Sequence, residues 1–84
     1  MSNNETAARY LGQLRRHGFV GAAAREADIP MHKITAMRRR DPMFDQAVRY
    51  CTWRGRGFCD LTAAREAKDV TAVKHYLTEL GIKA

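Results

Sequence analysis

Between Val20 and Arg39 the sequence VGAAAREADIPMHKITAMRR leaves the backbone few options. An alanine-rich segment of high helix propensity runs into Asp28-Ile29-Pro30. Proline lacks a backbone donor and drives the residue before it out of the helical region, so this helix must stop. Proline is also tolerated in a first helical turn, so the residue that ends one helix opens the next. The spacing predicts two short helices, about 21–27 and 30–40, joined by a tight turn. Helices that cross steeply need a small residue where their backbones approach, and Ala24 supplies it. The turn needs a residue that accepts an unusual backbone conformation, then an apolar plug, and Asp28 and Ile29 take these roles. Ile34 and Met37 are the inward pair of the second helix.

The flanking sequence reads as further helices. Ser2 and Glu5 have capping-box spacing, and Ala7, Tyr10, Leu11 and Leu14 recur at helical intervals over about 4–17. Gly18 is the stop, and Arg15-Arg16-His17 suits a last turn. Phe19 and Val20 are expected to tuck beneath the next helix, with Gly21 as its start. Asp41-Pro42 caps and launches a helix whose stripe is Phe44, Ala47, Val48 and Cys51, ending at Trp53 or Arg54. Arg54-Gly55-Arg56-Gly57 is the weakest point of the pattern, a flexible link or a hinge within a longer helix. Asp60 is expected to cap a short helix with Leu61, Ala64 and Ala67 inward. Asp69 caps a last one with Val70, Val73, Leu77 and Leu80 inward and Gly81 as the stop. No stretch alternates with period two. The expected fold is all-α: a homeodomain-like three-helix core containing a helix-turn-helix, plus carboxyl-terminal helices. Residues 1–41 are expected to form the helix-turn-helix, DNA-binding region and 42–84 a helical support or oligomerisation region.

Charge separates the same two regions. Residues 1–40 hold eight Lys/Arg against three acids, a balance of +5, and residues 41–84 contribute only +1. A basic half joined to a near-neutral half suggests that one end meets a polyanion and the other meets protein. Eighty-four residues bury too thin a core to wall an active site on all sides, which favours a module working through its surface. No apolar run approaches membrane-spanning length and no export signal is present, so a cytoplasmic protein with no membrane association is expected. Cys51 and Cys59 match no common zinc spacing, and His17, His32 and His75 are scattered. The cysteines are read as reduced, half-buried apolar fillers. No carboxylate pair, Cys/His pairing, phosphate loop or metal cluster supports an enzyme, and neither a cofactor nor a small-molecule substrate is expected.

The outward side of the second short helix carries Met31, His32, Thr35, Ala36 and Arg39, the side that a helix-turn-helix lays into the major groove. Arg39 can donate two hydrogen bonds to guanine and is the leading base-reading candidate. His32 and Thr35 can bond a base edge or a phosphate, whereas Met31 and Ala36 can touch thymine methyl groups or fill space. Lys33, Arg38 and Arg40, with Arg25 and Arg15-Arg16, are assigned to phosphates. Favourable charge at a helix carboxyl end accounts for part of Arg38-Arg39-Arg40, but not for three in a row.

The segment GAAAREADIPMHKITAMRRRDPMF, Gly21 to Phe44, resembles the amino-terminal helix-turn-helix of bacteriophage small terminase subunits and related phage DNA-binding proteins. The Asp41-Pro42-Met43-Phe44 run is its most telling part. The family usually has glycine and serine where Asp28 and Pro30 stand, and often an aromatic residue where Met37 stands. The resemblance implies a protein that binds viral double-stranded DNA at a packaging site in the bacterial host cytoplasm and recruits the terminase large subunit. It also implies a homo-oligomer, with Phe44, Val48, Tyr50, Cys51, Trp53, Phe58 and the last helix as candidate contacts. A small phage or bacterial transcriptional regulator is the alternative, and a helical protein–protein adaptor the second.

Overall fold

A computed structural model describes residues 3–84. Six helices follow one another, α1 (Asn3–His17), α2 (Val20–Ala27), α3 (Met31–Arg40), α4 (Pro42–Gly55), α5 (Asp60–Ala64) and α6 (Val70–Glu79). The described residues contain no strand, so the chain is all-α as its periodicity predicts. None of these helices is long and apolar enough to cross a membrane. The expected Ser2–Glu5 capping pair lies partly outside the described residues.

Local chemistry explains where the helices stop. α1 ends at Gly18, whose N–H makes a last-turn bond to the Leu14 carbonyl at 2.7 Å and whose φ of +78° then turns the chain out of the helix. α2 ends on Asp28, at φ 58° and ψ 48°. The Asp28 N–H reaches the Arg25 carbonyl at 3.1 Å and the Ile29 N–H reaches Ala24 at 2.9 Å. This is the paired closure that usually takes glycine at its left-handed residue, and Ile29, buried against the core, supplies the accompanying apolar contact. Pro30 then stands as the N-cap of α3, not as its first residue. Asp41 caps α4 as expected, its carboxylate accepting from the Met43 and Phe44 amides at 3.0 and 3.3 Å. Asp69 does the same for Ala72 at 3.1 Å.

One core runs through both halves of the chain. Tyr10, Leu11 and Leu14 of α1 meet Ala23, Ala24 and Ile34, with Phe44, Val48, Tyr50 and Cys51 of α4 and Val73 and Leu77 of α6 completing the cluster. Phe44, Val48, Tyr50 and Cys51 are each at most 1% exposed, so the chain's own core consumes them, and they are not open to a second subunit. Phe44 packs on Tyr10 with ring centroids 6.1 Å apart.

Several expectations are corrected. Phe19 does not tuck beneath α2; it is 57% exposed, because α2 begins at Val20 and leaves Phe19 as its extended N-cap. Asp60 is the first residue of α5 and not its cap, and its carboxylate accepts from the Tyr50 hydroxyl at 2.5 Å and from Lys74 at 2.9 Å. Within that segment Ala63 and Ala67 point inward, Ala64 is only half-buried, and Leu61 is 71% exposed. A five-residue helix has one narrow buried face, and Ala63 occupies it. Cys51 is buried, but Cys59 is exposed; both are free thiols.

The segment from Arg54 to Gly57 is neither a link nor a hinge. α4 continues through Gly55, and Gly57 (φ +96°) ends it by the paired closure seen at Asp28: Gly57 N–H to Arg54 and Phe58 N–H to Trp53, both 3.1 Å. Phe58 accordingly stacks edge-on against Trp53 at 4.8 Å, the apolar contact that this closure favours.

Candidate nucleic-acid interface

α3 is held mainly by its inner side. Ile34 is 1% exposed and Met37 packs partly buried against the core. A three-residue connection, 28–30, carries the chain from α2 into α3. Arg9 of α1 supports that connection, its guanidinium donating to the Ala27 carbonyl at the end of α2. That carbonyl is one of the last-turn acceptors a helix leaves without an internal partner. Sequence reasoning missed Arg9, because only the fold brings residues 9 and 27 together.

The opposite side of α3 faces solvent. Met31, His32, Thr35 and Arg39 are exposed, and Ala36 is half-buried. Lys33 and Arg40 of α3 and Arg25 of α2 are exposed as well. None of these polar side chains forms a hydrogen bond or ion pair with the described residues, so their donors are uncommitted. Lys33, Ala36, Met37 and Arg40 border a groove closed by Asn3 and Asn4 of α1, Asp41, and Tyr76 of α6. Burial, aided by the Asp41 carboxylate, pushes the Tyr76 hydroxyl up to about 12, so it remains a neutral donor. The N-cap of α3 is Pro30, which offers no side-chain acceptor, so the first-turn amides have no side-chain cap. Such amides, at the positive end of a helix, suit an anion.

Two of the predicted phosphate residues are already engaged within the fold. Arg15 is turned inward, donating to the Arg54 carbonyl at 3.5 Å and the Ala84 carbonyl at 3.2 Å. It lies on the α1 flank facing α4 and the end of the chain, so it does not stand with the α3 residues as a free cation. Arg38 leans toward α4 and donates from Nε to Asp45 at 2.6 Å. Arg16 is exposed and, among the described residues, bonds only its neighbour Gln13, at 3.4 Å.

Asp45 also accepts from Arg49 at 3.2 Å. Burial opposes ionisation of Asp45, but the hydrogen bonds and charges of Arg38 and Arg49 outweigh it and hold the carboxyl below its ordinary pKa. Arg49 was missed in the sequence, although its four-residue spacing from Asp45 on a helix is the signal that would have found it.

At the joint between α1 and α2, His17 Nδ1 accepts from the Phe19 amide at 3.1 Å while Nε2 meets Glu26 at 2.5 Å. These roles assign the Nε2–H tautomer to the neutral ring. Arg56 lies over the Phe19 ring at 5.4 Å and donates to the Gly18 carbonyl at 2.9 Å. Burial pushes the Cys51 thiol up to about 12, which keeps it protonated and unreactive. Compared with known proteins, the chain matches no protein-family model, no curated protein and no solved structure.

Proposed function

We propose that this is a non-enzymatic protein that binds double-stranded DNA, with α2, the 28–30 turn and α3 acting as a helix-turn-helix and α3 as the reading helix. One observation carries the reading: Met31, His32, Thr35 and Arg39 lie exposed on one side of α3, and neither their polar groups nor the exposed cations Arg25, Lys33 and Arg40 have a partner among the described residues. A major groove accepts a helix with this array, an arginine for guanine and smaller polar groups for base edges or phosphates. The surrounding cations supply the salt-dependent, sequence-independent part of the affinity. The finer role, recognition of phage DNA for packaging as a small terminase-like subunit that recruits the large subunit, rests on the resemblance of Gly21–Phe44.

Selection of preferred duplexes from a random library by wild type and by Arg39→Ala tests the assignment. The variant is expected to lose about 1–3 kcal/mol on the preferred sequence and to relax choice at one position. Unchanged affinity and preference would remove α3 from the role of reading helix.

A further inference from the structure

Where α3 hands over to α4, a groove is lined by Arg38, Asp45, Gln46 and Arg49 on one side and by Glu66 and Lys68 of the α5–α6 connection on the other. Within it Asp45 holds two guanidinium groups at once. Arg38 donates from Nε to one carboxylate oxygen at 2.6 Å, and Arg49 donates from Nε to the other at 3.2 Å. Binding through Nε occupies one edge of each guanidinium and leaves the terminal Nη groups without an acceptor among the described residues. The two side chains are 33% and 53% exposed, so these groups border solvent. The cluster has a net charge of +1, at the carboxyl end of the helix that reads DNA in the function proposed above.

We propose that Arg49 is a DNA-backbone contact on α4, paired with Arg38 and oriented by Asp45, and that the pair grips one phosphodiester beside the reading helix. Arginine suits this task because its planar fork presents several donors to phosphate oxygens while one edge stays fixed. The inference rests on the DNA-binding reading and extends the contact surface beyond α2 and α3. It makes Asp45 a positioning residue: an acid at a DNA surface that serves by ordering two bases.

The test measures duplex DNA affinity across a salt series for wild type, Arg49→Ala, Arg38→Ala and Lys83→Ala. Lys83 is exposed near the end of the chain, and its loss changes net charge as much as the loss of Arg49 does. Arg49→Ala and Arg38→Ala are each expected to flatten the slope of log affinity against log salt by about 1, on every sequence alike, while Lys83→Ala leaves it unchanged. Equal slopes for Arg49→Ala and Lys83→Ala would overturn the contact. In NMR spectra of the DNA-bound protein, the Arg38 and Arg49 Nε–H signals are expected to keep the shifts of the Asp45-bonded state. Their collapse on binding would overturn the orienting role, since DNA would then compete with Asp45. Absence of wild-type binding at low salt would instead defeat the DNA-binding reading itself.

Discussion

Gly18 and Gly55 touch backbone to backbone where α1 ends against the last turn of α4. A methyl group on Gly55 would sit 2.3 Å from the Leu14 carbonyl oxygen and 2.5 Å from the Gly18 nitrogen. One on Gly18 would sit 2.3 Å from the Thr52 carbonyl oxygen. Each glycine is therefore required by the other's element, and the contact sets how closely α1 and α4 approach. Because these are backbone atoms, no side-chain rotation relieves the clash. Gly55→Ala is expected to lower stability by about 1–3 kcal/mol, read from urea denaturation. Gly12→Ala, where the added methyl meets nothing within 4 Å, should raise it by about 0.5–1 kcal/mol.

Asp28 is the one non-glycine residue with positive φ among the described residues. Aspartate tolerates this conformation better than most residues but pays a steric cost that glycine avoids. Asp28→Gly is expected to stabilise the protein by about 0.5–1 kcal/mol, and Asp28→Ile to destabilise it by about 1–2 kcal/mol. Thermal unfolding of the two variants checks both signs. An equal effect of glycine and isoleucine would contradict the left-handed turn.

Arg9 links α1 to the end of α2 through the Ala27 carbonyl. Arg9→Met keeps much of the stem but removes the donor, and should cost about 1–2 kcal/mol, as for a part-buried charged hydrogen bond. Amide exchange at Asp28 and Ile29 should rise more than at α6, since the lost bond is local to the turn.

The pH dependence has two limbs. Asp45, against Arg38 and Arg49, and Asp60, against Tyr50 and Lys74, have carboxyl pKa values below the ordinary range. Their contribution is present above about pH 4, where the unfolded groups are ionised, and is lost as pH falls through the lower folded values. Tyr50 is pushed up to about 12, by burial first and then by its bond to Asp60, and Tyr76 and Cys51 also reach about 12. Above about pH 9–10 the unfolded chain releases protons that the native state retains, so stability falls as pH rises toward 12. Tyr50→Phe should make the alkaline limb shallower, as measured by denaturant midpoints from pH 8 to 11.

Much of the fold could be read from local punctuation. Asp28, Pro30, Asp41-Pro42, Asp69 and Gly81 act within a few residues of themselves, and each helix boundary they imply lies within a residue or two of its place. The misreadings involve partners far along the chain. Nothing near Gly55 reveals that Gly18 lies against it, so a packing glycine looked like a hinge. Arg15 looked like a free cation until Arg54 and Ala84 supplied its acceptors. Asp60 looked like a cap because Tyr50 and Lys74, its partners, lie 10 and 14 residues away. The α3 face was more accessible to reasoning, since helical period alone separates Ile34 and Met37 from His32, Thr35 and Arg39.

The central claim is that the α3 surface binds duplex DNA through its cations. Titration of duplex DNA at a low and a moderate salt concentration tests it most directly. The account predicts tight binding at low salt that weakens steeply as salt rises, because several phosphate contacts each release counterions. No binding to any duplex at low salt would contradict it.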